Sequence, residues 1–337
     1  LAARVGREAH ARARAPFGLP AEPPYRAGVT ECRLCARRCQ PGPGELTYCG
    51  LRVGKSGGTE VHAGLPSGGL LEWYLDPLPT NCVASWVCPA TAAMSTPKSA
   101  RLQYPGRGRF NLAVFYGACP FDCLYCQNWQ FRGMPRSARR LVPAEELAAH
   151  VDGQVACICF FGGDPVPQLP HAFQVCGILM KTGSLRVRIC WETCGYAESD
   201  LLDRMVEFSL RSGGIIKFDL KAWSPAIHRA LCGADNQQVL ANFSRAAKRI
   251  AERPEVPLVV ASTLLVPGYI DAEEVRCLAR FIASHDPGIP YALLAFHPDF
   301  EMRDLPRTPA TLASECLLAA RESGLTRVRL GNVHLLE

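Results

Sequence analysis

The sequence has no apolar run approaching the roughly 18–20 residues that a membrane span requires. No secretory signal pattern opens it, and no dense basic stripe breaks the interspersed acidic and basic residues. A net charge of +6 admits an acidic partner without indicating one, so neither a membrane nor a nucleic acid is expected as partner. Residues 1–30, rich in Ala, Arg and Pro, lack both periodicity and an initiator Met. They read as a poorly determined arm with a trimmed or altered start.

What the chain has in excess is cysteine, seventeen residues of 337. A secreted disulfide scaffold would be much shorter and would not need a core fed by 48% hydrophobic residues. An odd, locally clustered set fits a reducing compartment, the cytoplasm, and ligation of metal or cluster. Cys157 and Cys159 in an apolar strand-like run, and Cys232, Cys277 and Cys316 in helical patterns, read as small buried hydrophobes.

Residues 31–107, long on Gly, Pro and Cys, read as a small Cys-rich module and linker. From residue 108 to 337, apolar strands alternate with amphipathic helices. Strands are expected near 111–116, 155–161, 187–193, 214–220, 257–266 and 290–296, and helices near 143–152, 168–181, 198–212, 236–253, 271–285 and 309–323. Gly213 is the expected stop of the helix that begins at Glu198. Strands apolar on both faces and separated by helices indicate a parallel sheet with helical crossovers. The pattern alone does not choose between a doubly wound sheet and a partial barrel, but either binds ligands at the carboxyl ends of its strands.

The segment GACPFDCLYCQNW leaves the first of these strands with Cys119, Cys123 and Cys126 in one tight loop. Three thiolates on a four-iron cube leave one iron open, able to chelate the amino and carboxylate groups of a methionine moiety. A zinc site would look for a fourth ligand. The loop resembles the signature of the radical S-adenosylmethionine (SAM) superfamily, and the resemblance runs over roughly residues 108–333. It implies an α/β fold, a partial (β/α)6 TIM-type barrel with a small N-terminal Cys-rich metal-binding module.

Later segments agree in order. FFGGDP is similar to the family's glycine-rich segment, which implies that Gly162, Gly163 and Asp164 receive the SAM amino group, with Asp164 where relatives often carry Glu. WETCGY is similar to the E-T-x-G segment of glycyl-radical activating enzymes, implying Glu192 and Thr193 beside the ribose or methionine part of SAM. FDLKAW is similar to their D-x-K segment, with Asp219 and Lys221 beside the site. Tyr125 would set its backbone near the adenine, and His297 is expected at the barrel mouth.

CQNW, LLVPGYID, GLTRVRLGNV and the upstream ECRLCARRC…YCGLR together look like the AmmeMemoRadiSam-system group, related to pyruvate formate-lyase activating enzymes. The segment 76–104 departs from that group and adds Cys82 and Cys88, so a divergent member is implied. Cys32, Cys35, Cys39 and Cys49 form a second candidate site, for zinc or a second iron–sulfur cluster.

The expected function is that of a radical SAM enzyme, oxidoreductase or lyase in its chemistry. It would cleave SAM reductively at a [4Fe–4S] cluster to a 5′-deoxyadenosyl radical, which takes hydrogen from an unidentified small-molecule or protein substrate. The partner implied is an electron donor of flavodoxin or ferredoxin type. Two alternatives are an activase that installs a glycyl radical on a partner enzyme and a non-catalytic iron–sulfur or zinc interaction protein.

Overall fold

The computed structural model describes residues 2–80, 82–91, 109–137, 139–181 and 187–337. The distal part of the expected linker, 92–107, lies outside the described residues. The segment expected as an arm carries a helix, α1 (Ala2–Arg14). A hairpin of β1 (Arg52–Lys55) and β2 (Gly58–Val61) follows the Cys-rich stretch.

Among the described residues the main sheet has eight strands: β3 (Leu71–Pro77), β4 (Phe110–Tyr116), β5 (Val155–Gly162), β6 (Arg188–Thr193), β7 (Ile216–Asp219), β8 (Val259–Leu265), β9 (Tyr291–Ala295) and β10 (Val328–Gly331). β3 runs antiparallel to β4, and every later neighbour is parallel. The crossovers carry α2 (Ala144–Ala149), α3 (Leu169–Lys181), α4 (Ser199–Ser212), α5 (Pro225–Cys232), α6 (Gln237–Ala247), α7 (Ala272–Ala283) and α8 (Ala310–Glu322).

The strand order follows the chain without reversal. A doubly wound sheet turns back at a switch point, whereas strands added always on the same side curl the sheet toward a barrel. β3 and β10 are the two edges of the sheet, so the barrel stays open. The order therefore decides what periodicity left undecided.

The expected strands and helices are present within a few residues. α4 stops at Gly213, which takes the left-handed φ of 76° that glycine adopts freely. α5 was not expected, although its start is marked: Ser224 is the N-cap, its hydroxyl accepting from Ile227 N, and Pro225 stands first in the helix. β10 and β3 were not expected either. β3 lies in the stretch read as linker and supplies the antiparallel edge.

Side chains alternate along each strand. Ile158, Phe160, Ile189, Trp191, Ile216 and Phe218 pack outward into the large core shared with the helices. Cys157, Cys159, Cys190 and Val260 belong to a second cluster, completed by Leu78, Ala84, Val87, Cys88 and Ala90. Part of the expected linker thus fills the barrel interior. Of the cysteines read as buried hydrophobes, Cys277 is half-exposed, because it sits beside Glu273 on the outer side of α7.

Candidate active site

The loop after β4 is pinned to the end of α5. Asp122 N donates to Cys232 O and Leu124 N to Leu231 O, each at 3.0 Å. Asp122 itself is fully buried and takes hydrogen bonds from Arg132 Nε at 3.1 Å and His10 Nδ1 at 3.0 Å. The Arg14 guanidinium lies 3.6 Å away. Burial alone would raise the Asp122 carboxyl, yet His10, Arg132 and Arg14 hold it below its ordinary value. The helix α1 is therefore fastened to the cysteine loop.

A cavity of about 460 Å³ opens at the carboxyl ends of the strands. Cys119, Cys123, Cys126 and Tyr125 line it from the loop, Gly162, Gly163 and Asp164 from the end of β5, Glu192 and Thr193 from β6, and Asp219 and Lys221 from β7 and the turn after it. Every residue nominated for the cluster and for SAM faces this one space. Cys82, Arg132, Cys194, Arg329 and Asn332 line it too, and sequence reading did not nominate them. Asn332, with φ of 54°, is one of three non-glycine residues in the left-handed region among the described residues. His297, expected at the mouth, is not among the lining residues.

The two glycines serve the chain's own packing. A Cβ on Gly162 would stand 2.5 Å from Tyr116 N, and one on Gly163 would stand 2.3 Å from Ala118 O. Gly162 also has φ of 104°. Only residues without a Cβ let β5 end this close to the strand and loop that present Cys119.

Asp164 is likewise taken up by the chain. Its oxygens accept from Val166 N at 2.9 Å, Cys194 N at 2.7 Å and Thr193 Oγ1 at 3.1 Å. The carboxylate thus ties the end of β5 to the end of β6, and Thr193 acts through it. Burial raises the Asp164 carboxyl, opposed by these hydrogen bonds.

Glu192 is partly exposed to the cavity and lies 3.7 Å from the buried Lys217 ammonium. Lys221 donates to Asp219 and sits 5.6 Å from the Tyr125 ring centroid. Burial opposes the Lys221 charge, but Asp219 and the nearby thiols keep it protonated.

The loop thiols differ. A hydrogen bond from Cys232 brings the Cys123 thiol down to about 7 against burial, with Lys221 and Arg132 helping. Burial pushes Cys126 up to about 11. Cys194 stands beside Cys119 in the same way that Cys232 stands beside Cys123.

Cys32, Cys35, Cys39 and Cys49 also come together: burial raises the Cys32, Cys35 and Cys39 thiols, and the neighbouring sulfurs raise them too. Cys49 packs against the small apolar cluster that touches Cys119 and Cys126. Arg37, from the same stretch, donates to Pro120 O at 2.8 Å. Among the described residues, no three His, Cys, Asp or Glu side chains converge on a single ion. An iron–sulfur cube takes one thiolate per iron, so its ligands surround it.

The donor set fits a cube with one free iron: three thiols from one loop, one of them already low enough to ionise near neutrality, open to a cavity with paired charges along its wall. Residues 113–281 match the family model described as the Radical SAM superfamily. The chain belongs to that superfamily, and it is an enzyme. The radical SAM family implies a [4Fe–4S] cluster and SAM.

This radical SAM enzyme is 24% identical over 307 residues to an uncharacterized protein of Methanocaldococcus jannaschii, covering 90% of this chain and 81% of that one. It is 31% identical over 137 residues to the isethionate sulfite-lyase activating enzyme of Desulfovibrio desulfuricans, covering 40% of each. A solved domain of a pyruvate-formate lyase-activating enzyme from Bacteroides vulgatus aligns with a TM-score of 0.41 at 22% identity, over 52% of this chain and 98% of the domain. Among the described residues, no helix is long and apolar enough to cross a membrane.

Proposed function

We propose that Cys119, Cys123 and Cys126 hold a [4Fe–4S] cluster in this radical SAM enzyme, and that the wall from Gly162 to Lys221 binds SAM. The observation that carries this is convergence: residues from one loop and three strand ends, far apart in sequence, line a single cavity. When bound, the cluster and SAM supply one-electron cleavage of the sulfonium to methionine and a 5′-deoxyadenosyl radical, the species that takes hydrogen from substrate.

The chain's residues do the rest. Gly162 and Gly163 let β5 close onto the cysteine loop, and the Asp164–Thr193 link fixes the β6 segment relative to it. Asp219, held by Lys221, offers a carboxylate to the hydroxyls or amino group of the ligand. Glu192 does the same from β6. The electron donor is of flavodoxin or ferredoxin type.

The similarity to a sulfite-lyase activating enzyme favours a protein as substrate, which makes this chain an activase for a partner enzyme that carries the radical. A small-molecule substrate is the competing reading.

Anaerobic reconstitution, reduction with dithionite and assay of 5′-deoxyadenosine test the common part. Product that disappears in Cys123→Ala supports it. A loaded, reducible cluster that binds no SAM would sink it.

A further inference from the structure

The stretch 82–91 contains Cys82, the one thiol among its cavity-lining residues, to which the radical chemistry above gives no task. It packs inside the barrel against Cys157, Cys159, Cys190 and Val260. Alternation puts Cys159 on one face of β5 with Phe161, Cys190 on one face of β6 with Glu192, and Lys217 on one face of β7 with Asp219. Phe161, Glu192 and Asp219 line the main cavity, so Cys159, Cys190 and Lys217 form the next layer down. Cys82 stands at the boundary. It lines the main cavity and also a small space of about 20 Å³ between the segment and that lower layer.

Its surroundings are specific. Lys217, 2% exposed, donates from Nζ to Cys82 Sγ at 3.2 Å and to Cys159 Sγ at 3.0 Å. Ala84 N also donates to Cys82 Sγ, at 3.4 Å. Two donors are therefore aimed at the sulfur, while its own S–H has no acceptor among the described residues. Burial pushes the Cys82 thiol up, with Lys217 pulling it down, so the sulfur keeps its hydrogen near neutrality. Cys159 shares the ammonium but does not reach the main cavity.

We propose that Cys82 is a hydrogen-atom donor to carbon-centred radicals formed in this cavity. The inference rests on the radical SAM reading above. The S–H bond breaks homolytically, a C–H bond forms on the carbon radical, and a thiyl radical remains on Cys82. One electron from the flavodoxin- or ferredoxin-type donor reduces the thiyl to a thiolate. The Lys217 ammonium returns a proton to the sulfur, and cavity water beside Glu192 reprotonates Lys217.

The test needs no substrate. The reconstituted 337-residue chain cleaves SAM in D2O with dithionite as reductant and no thiol in the buffer. The Cys82 S–H exchanges with solvent, whereas carbon-bound hydrogens do not. Mass spectrometry then gives deuterium per 5′-deoxyadenosine, a ratio independent of how much forms. Most wild-type product is expected to carry one solvent deuterium. In Cys82→Ser the ratio falls by roughly tenfold or more, because a hydroxyl O–H does not yield its hydrogen to a carbon radical.

Cys88→Ser, which alters only the smaller space, keeps the wild-type ratio. Iron content and melting temperature of Cys82→Ser are measured alongside, with Cys82→Ala as the second variant should the hydroxyl disturb the fold. Undeuterated wild-type product overturns the proposal while leaving the radical SAM reading intact, as does an unchanged ratio in both Cys82 variants. A loaded wild-type enzyme that binds no SAM overturns both together.

Discussion

His10 Nδ1 lies 3.0 Å from Asp122 Oδ2, joining the first helix to the cysteine loop across 112 residues of sequence. Each ring nitrogen of His10 faces acceptors, the carboxylate on one side and the carbonyls of Arg229 and Ala230 on the other. The same carboxylate neutralises Arg132 and approaches Arg14, both nearly inaccessible to solvent.

Asp122→Ala leaves those guanidinium groups buried without a counter-charge. The expected loss is roughly 3–5 kcal/mol, read by urea denaturation, together with reduced iron loading because the loop is released. The folded carboxyl titrates below its ordinary value of 3.8. Its contribution is therefore present above that pH and is lost as acid protonates it. A variant within 1 kcal/mol of wild type would show that the link is dispensable.

A second pH effect comes from two buried histidines. Burial brings His171 from 6.5 down to about 4, and it brings His228 down to about 4 as well. His171 is held neutral between Tyr116 Oη, which donates to Nδ1, and Val142 O, which accepts from Nε2. Because the unfolded histidines take up protons first, stability is complete above pH 6.5 and falls as pH drops toward 4. Each contributes a loss of about 3 kcal/mol. Urea midpoints measured from pH 7.5 to 4.5 should decline steeply, and His171→Gln should flatten the curve; an already flat wild-type profile would contradict the assignment.

The parts legible in the sequence were those written locally. Strands such as VACICFF are apolar on both faces, and the polar motifs follow them directly, so the parallel sheet and the lining of the cavity could be read. The rest depends on contacts between distant residues. Nothing in the sequence around His10 indicates that it meets Asp122, and β3, half-exposed and set among Gly and Pro, has no helical or strand signature strong enough to stand out.

The segment around Cys82 and Cys88 has no periodicity because it packs as an irregular filling of the barrel rather than as a helix or strand. Asp164 was assigned to the ligand on resemblance. It lines the cavity and also accepts hydrogen bonds from Val166, Thr193 and Cys194, contacts that only the junction of two strand ends reveals.

The close approach at Gly163 predicts a sharp intolerance. A Cβ there would meet Ala118 O at 2.3 Å, and backbone cannot move as a flexible side chain can. Gly163→Ala is expected to cost about 2–4 kcal/mol and to lower iron incorporation, since the displaced carbonyl adjoins Cys119. Melting temperature and iron content are the measurements. A variant that melts normally and loads fully would mean that the loop shifts freely.

Cys232 gives a prediction about redox behaviour. Its hydrogen bond to Cys123 favours negative charge on that sulfur. Hydrogen bonds to cluster sulfurs stabilise the reduced, more negative state. Cys232→Ala should therefore move the cluster midpoint to more negative potential, on the order of tens of millivolts. An EPR-monitored titration reads the shift, and a midpoint unchanged or more positive would exclude Cys232 from that role.

The four N-terminal thiols decide whether the enzyme carries a second metal group. Burial pushes the Cys39 thiol up to about 12 despite a hydrogen bond from Tyr48 N at 3.4 Å, and burial and its three neighbouring thiols raise Cys35 as well. Thiols bind a metal only by releasing protons, and Cys32, Cys35 and Cys39 hold theirs more tightly than a free thiol, so affinity must fall as pH falls.

Cys39→Ser, in the whole chain, is expected to lose one metal group while the group at Cys119, Cys123 and Cys126 stays loaded, and to lower the melting temperature. Elemental analysis distinguishes the two options left open by the spacing: loss of about one zinc, or of up to about four irons. If metal content and melting temperature both stay at wild-type values, the quartet is a set of packed thiols, and the module is held by its other contacts, among them Arg37 to Pro120 O, Arg38 to the Glu198 carboxylate and Arg52 to Pro167 O.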